Sequence, residues 1–453
     1  MPQARDVEFI DLRSADLMGH KANKPRLWRQ RLRRLIVLLL LVLALTTSSV
    51  LSEAAFDLRL SPLIAGSRFD WVDWETKAVW EEITWWLRGR PSAEVHAAPE
   101  DSATGQAEVL AFLDRQRQIA ELESGIRDEI ARLPQPTSIP SPEQLPGLPP
   151  SVAPLQRQLQ ELRNQQTLAA PGVERIMAAQ VGQVLIDQGL GLKQQVWPPV
   201  AFRLNHLPTY LVISPRDEIR TYRGIYLLPD IPEAERASLE AAIEAQLDVS
   251  ALVVDVGGVG SWPTMVIDNA SLHSLFDIIV HEWTHTYLLL RPLGLHYSDN
   301  RDLTTMNETV ASIVGGEIAD LVLARDYPEL VPRPKVLPES TSGEGRPNRE
   351  DFNQTMRRVR LHVDELLSEG RVSEAEAYME AERQKLVAAG YRLRRLNQAY
   401  FAFHGSYATS PASVDPIGPW LHQLRAQSGS LKAFLDQVAQ MSSLDDLLLA
   451  LQE

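Results

Sequence analysis

The sequence predicts a helix-dominated α+β fold, and three observations carry that expectation. Short β-like runs gather between residues 200 and 267, helical periodicity covers almost everything after them, and a His-Glu-x-x-His motif lies where the two patterns meet. The chain has 453 residues, enough for two or three domains with at least one sizeable core. At 44% hydrophobic and 23% charged residues its composition is globular. A net charge of −14 argues against a nucleic-acid binder, which needs a basic face.

From the N-terminus, Leu35 to Leu51 reads as 17 residues without a charge, at the short end of what crosses a bilayer as a helix. Seven basic residues and no acidic one stand between positions 21 and 34. That asymmetry predicts a basic cytoplasmic leader at 1–34, a transmembrane helix at 35–51, and a body outside the cytoplasm on a single-pass anchor. The competing expectation is a cleaved signal peptide, since the strongest apolar core is only Leu35 to Leu45. Both place the body outside the cytoplasm.

Residues 69 to 88 carry five tryptophans, and Phe69, Val72, Val79, Ile83 and Trp86 recur at helical spacing. Such a helix either lies at a lipid interface or offers a packing face to the rest of the protein. A second helix is expected from Ala107 to Arg132. Eight prolines between Pro134 and Pro154 then forbid regular helix or central strand. The expected organisation is therefore a membrane-proximal stalk at 52–133, a Pro-rich linker at 134–154, and a catalytic body at 155–453.

In that body Leu155–Leu190 looks helical. Val200–Leu204, Thr209–Ser214, Arg220–Leu228, Ala251–Val256 and Thr264–Ile267 look like strands, with a helix at Glu233–Leu247. Gly257, Gly258 and Gly260 lack the spacing of a nucleotide loop and read as a turn joining two strands.

His281-Glu282-Trp283-Thr284-His285 carries the chemistry. There is no cysteine, so a metal here has only imidazoles and carboxylates as side-chain ligands. Helical positions four apart stack, so both imidazoles reach one ion at about 2.0–2.1 Å. Glu282, rotated by roughly 100°, stands beside the ion, where a carboxylate takes a proton from an activated water. Asn269 or Ser271 can cap this helix, and Pro292 with Gly294 ends it.

A His six residues after His285 would mark a metzincin, but that position is Arg291. Instead Asn307-Glu308 follows after 22 residues, at the expected start of a helix. Over residues 264 to 325 this arrangement resembles the gluzincins, the thermolysin-like zinc peptidases and their relatives. The resemblance implies a zincin-like catalytic domain, a small mixed sheet before the motif helix, Zn2+ on His281, His285 and Glu308, and Glu282 as general base. Thr305 to Glu308 also has the form of a capping box. Against it, Glu308 heads a stripe with Ser312, Gly315 and Ala319, small residues that permit close helix approach. Glu317 and Asp320 are the other acidic candidates.

Where thermolysin-like enzymes carry an Asp four residues after the ligand Glu, this chain has Ser312, which leaves Asp277 as a possible partner of a ligand imidazole. His404 and Tyr407 are the expected hydrogen-bond donors to a developing oxyanion, with an aromatic helix end in the core as the plainer account. Thr264–Ile267 resembles the edge strand on which zincins lay extended substrate. The function expected is a membrane-anchored zinc peptidase acting on peptides or proteins. The alternatives are a non-catalytic tethered scaffold on a zincin fold and a zinc hydrolase of a non-peptide substrate.

Overall fold

The computed structural model describes residues 54–87, 102–131, 152–331, 349–405 and 416–452. The expected transmembrane segment at 35–51 and nearly all of the Pro-rich linker lie outside them. Among the described residues no helix is long and apolar enough to cross a membrane. Contacts divide the chain into two units, Met1–Pro62 and Leu63–Glu453. The first is described only at 54–62, which is helical; everything below concerns the second.

That unit is a helix-dominated α+β body with small sheets. Its first helices are α1 (Trp71–Leu87), α2 (Ser102–Ala131) and α3 (Val152–Asp187). The last starts three residues before the expected helix, with Pro154 in its first turn, where no intrahelical N–H is needed. Val109 and Phe112 of α2 and Val173, Met177 and Val181 of α3 lie in one core with the motif helix. The segment expected as a stalk thus contributes a packed layer, and α3 joins it to the body.

The strands are β1 (Gly191–Leu192), β2 (Gln195–Val196), β3 (Phe202–Asn205), β4 (Thr209–Pro215) and β5 (Arg223–Leu227). After α4 (Glu233–Leu247) come β6 (Val249–Val254), β7 (Gly258–Val259) and β8 (Thr264–Ile267). They pair as a β1-β2 hairpin, an antiparallel sheet β5-β4-β6 and a mixed sheet β3-β8-β7. One expectation is corrected here. β8 is paired on both sides, to β3 in parallel and to β7 antiparallel, so Thr264–Ile267 is no edge and β7 is. The glycines read as a turn form that edge, because without side chains the backbone can close on β8 and on the helix behind it.

Trp71 and Trp74 of α1 pack with Phe69 over Met265, Val259 and Tyr226, and Trp71 stacks on Tyr226 at 5.3 Å. Val72, Trp80 and Ile83 of the same helix are exposed. Trp71 and Trp74 thus belong to a packing face and Trp80 to a solvent face.

The motif helix α5 (Leu272–Leu288) begins where Ser271 accepts from the Ser274 amide. Leu272, Leu275, Phe276, Ile279 and Val280 are buried, as their spacing requires. After the short α6 (Pro292–Leu295) comes α7 (Arg301–Asp326), capped by Asn300 accepting from the Leu303 amide. Glu308 therefore lies two turns inside this helix rather than at its start, and Thr305–Glu308 is no capping box. Stronger capping by Asn300 explains the difference.

The α5–α7 interface is close because Gly315 faces Asp277. A Cβ on Gly315 would stand 2.5 Å from Asp277 Oδ1 and 2.8 Å from its carbonyl oxygen. The small-residue stripe has the geometric role its spacing implies. The remaining helices are α8 (Arg349–Ser368), α9 (Val372–Ala388), α10 (Gln398–His404), α11 (Ile417–Gln427), α12 (Leu431–Val438) and α13 (Leu444–Ala450). Residues of α11 to α13 complete the main core, whereas α8 and α9 build a second one around Met356, Val359 and Met379.

Candidate metal centre

His281, His285 and Glu308 converge, each offering one ligand atom, with all three atoms within 4.8 Å of one another. The two Nε2 atoms face each other at 3.0 Å, and Glu308 Oε2 stands 3.3 Å from His281 Nε2 and 3.7 Å from His285 Nε2. Tetrahedral ligands about 2.0–2.1 Å from a zinc ion lie roughly 3.4 Å apart. The observed triangle brackets that value, so this buried group can hold a metal ion. Glu308 Oε2 is also a buried acceptor without a hydrogen bond. A lone carboxylate oxygen facing two imidazole nitrogens calls for a cation at their centre.

The sequence folds this way locally for identifiable reasons. Trp283, inside the motif, is buried and its indole N–H donates to the Pro198 carbonyl oxygen at 2.8 Å, which anchors the helix from its back. Thr284 satisfies its hydroxyl by donating to the Val280 carbonyl oxygen. With those two turned to the core, His281 and His285 turn to the cleft.

The residue before the carboxylate ligand is as informative as the ligand. Asn307 Oδ1 stands 2.7 Å from His285 Nδ1, and Asn307 Nδ2 donates to the Leu293 carbonyl oxygen at 3.2 Å. An Asn oriented by its amide donor presents its oxygen to the imidazole, so Nδ1 carries the proton and Nε2 faces the ion. The partner found for a ligand imidazole is thus Asn307. Asp277, one turn before His281, lies against Gly315, where burial raises its carboxyl pKa against the lowering influence of His281.

Electrostatics follow burial. Burial raises the pKa of Glu282, against the lowering influence of His285 and His281. Burial also opposes the charged form of His285, but Glu308, Glu282 and Asn307 outweigh it and push its pKa up to about 9. Glu308 goes the other way. Burial disfavours its charge, yet both imidazoles hold it well below the ordinary carboxylate range.

These groups open into a cleft of about 1170 Å³ that Tyr210, Tyr226 and Phe403 also line. Glu282 reaches it with one buried oxygen, Oε2, unpartnered. Its other oxygen lies so close to the edge strand that a Cβ on Gly258 would stand 2.5 Å from it. Tyr226 is clamped between Trp71 and Tyr210, with rings 5.3 Å and 4.9 Å away. Its pKa is raised by burial and by the nearby charges of Tyr210, Glu282 and Glu308, so it remains a protonated donor. Sequence reasoning missed Tyr226 because the strand that carries it is remote from the motif; only sheet pairing brings it to the cleft. It missed Gly258 as well, though three glycines just before a motif helix are a usable signal of close approach.

The expected oxyanion donors fare differently. His404 rests on the rings of Tyr400 and Phe403, 4.3 and 5.1 Å away, where burial lowers its pKa to about 4. Among the described residues of α10, Phe403 lines the cleft and His404 does not. Tyr407 lies outside the described residues. Glu317 pairs with Arg425 at 2.6 Å and Asp320 with His273 at 3.0 Å, both away from the triad. Comparison of the chain with family models, curated proteins and solved structures found no match in any of the three.

Proposed function

We propose that the protein is a zinc-dependent peptidase of gluzincin type, with Glu282 as general base and Tyr226 as a donor to the oxyanion. The observation that carries this reading is the convergence of His281, His285 and the orphaned Glu308 oxygen beside a buried Glu282 in one open cleft. Nitrogen and oxygen donors with no thiolate, three in number, suit zinc with one position left for substrate. Zinc held there supplies Lewis acidity, polarising a carbonyl and acidifying water at neutral pH.

The chain's own residues do the rest. Glu282, one position past a ligand, accepts the proton of the attacking water on Oε2 and returns it to the leaving amine, a shuttle helped by its raised pKa. Gly258 lets the edge strand back that carboxylate closely and keeps it in place. Tyr226, ring-clamped and protonated, supplies a fixed dipole from the cleft wall. Glu308 contributes the negative charge that makes the two imidazoles a cation site.

The uncharged run at 35–51 behind seven basic residues supports a second part of the proposal, that this body is held at the outer face of a membrane. Its substrates would then be extracytoplasmic peptides or proteins.

The test uses the full chain in detergent. Elemental analysis is expected to find about one zinc per chain. A mixed peptide library should be cleaved by the wild type and left intact by Glu282→Gln, whose metal content stays the same. A folded protein that takes up no metal defeats the reading. Zinc without peptide cleavage moves it to a hydrolase of another substrate class or to a scaffold.

A further inference from the structure

The connector between the two ligand-bearing helices has a job that the motif does not announce. Glu308 has two oxygens in different situations. Oε1 accepts from the Tyr297 hydroxyl at 2.6 Å, while Oε2 faces both imidazole nitrogens, buried and without a hydrogen bond. A short bond from a phenol ties one oxygen down and leaves the other for the ion.

Tyr297 is itself fixed from several sides. Its carbonyl oxygen accepts from Thr304 Oγ1 at 2.6 Å, and its amide donates to the Gly294 carbonyl oxygen at 3.2 Å. Its ring meets the edge of His285 at 6.1 Å and 86°. Gly294 must be a glycine, since a Cβ there would stand 2.0 Å from the Leu288 carbonyl oxygen. The same connector supplies the Leu293 carbonyl that orients Asn307, the partner of His285. One stretch of about ten residues thus aims two of the three ligands.

We propose that Tyr297 is a positioning residue that restricts Glu308 to one-oxygen coordination and so keeps a coordination position open. The inference rests on the metal centre proposed above. A carboxylate free of Tyr297 can swing both oxygens onto the ion; this fourth protein ligand atom, added beside a bound water, raises four-coordination to five and crowds the position a substrate needs.

The experiment compares full-length wild type with Tyr297→Phe, which keeps the ring and removes the hydroxyl. Competition against a chromophoric chelator reads zinc affinity, and the visible spectrum of the cobalt-substituted protein reads coordination number. Tyr297→Phe is expected to bind zinc about 10- to 100-fold more weakly. Its cobalt bands should lose intensity relative to wild type as four-coordination gives way to five. A merely structural tyrosine would not move the spectrum. Unchanged affinity and spectrum in Tyr297→Phe overturn the proposal while leaving the centre intact. Weaker binding with an unchanged spectrum overturns it too, since one-oxygen coordination would then not depend on the phenol. X-ray absorption on the wild-type zinc protein keeps the test independent of whether the variant folds, and two carboxylate oxygens at bonding distance sink the idea. A wild type that takes up no metal removes the centre itself, which is a different failure.

Discussion

Three residues at the centre make separable demands. Gly258 lets the edge strand touch Glu282, so Gly258→Ala forces its Cβ to within 2.5 Å of the carboxylate. Displacing a catalytic group by about 1 Å costs on the order of 100-fold in rate. Gly258→Ala should therefore lose roughly that much cleavage and retain its zinc, which kinetics beside elemental analysis will show. Tyr226→Phe removes a donor used only as charge develops. A fall of about 10²- to 10³-fold in kcat with little change in KM is expected, and a change confined to KM would count against its assignment. His285 adds a proton to the account. With its pKa pushed up to about 9, it is protonated at neutral pH in the metal-free protein. Zinc must displace that proton, so uptake at pH 7 should release about one proton per site and apparent affinity should fall as pH drops below 9. Calorimetry in buffers of different ionisation enthalpy counts it.

Between elements, the governing feature is the approach of α5 to α7. Gly315 has no room for a Cβ, with Asp277 side-chain and backbone oxygens 2.5 and 2.8 Å from where it would stand. Overpacking of this kind costs about 1–3 kcal/mol. Gly315→Ala should lower the free energy of unfolding by that amount, read from denaturation curves. Because the two helices carry all three ligands, zinc affinity should fall with it. Gly316, the next residue, has open space where a Cβ would stand, and Gly316→Ala is the control: zinc affinity should stay unchanged and stability should rise by about 1 kcal/mol.

Among the described residues two hydrophobic cores are largest, and the helices that carry the candidate metal centre pack in the larger one, built from α2, α3, α5, α7 and the C-terminal helices. Three polar groups, one of them with a buried acceptor that has no hydrogen bond, sit at its cleft edge. A ligand that binds only the folded state stabilises it by about 4 kcal/mol at a thousandfold excess over Kd. Chelation should therefore lower the melting temperature, and readdition of zinc should restore it. A melting temperature indifferent to chelator would mean that no metal is held. Since α2 and α3 pack in that same core, removing residues before 155 should expose apolar surface and cost stability, checked by comparing melting curves of the chains starting at 63 and at 155.

Local rules sufficed for much of this. The strand cluster, the helix at Glu233–Leu247 and the capped motif helix were legible because each depends on periodicity and punctuation within a short window. His281, Glu282 and His285 were legible for the same reason, as four-residue helical spacing decides which side chains share a face. Glu308 was reachable through resemblance and through its stripe of small neighbours, whose role in close helix approach Gly315 displays. What no window contained was pairing between distant segments. That β8 is central, that Gly258 backs Glu282, that Tyr226 of β5 lines the same cleft as the triad, and that Tyr297 and Asn307 bond to Glu308 and His285 all depend on where separate elements dock. Local spacing chose the candidate metal-binding side chains; docking, driven by burial of the faces they do not use, decided how they are aimed.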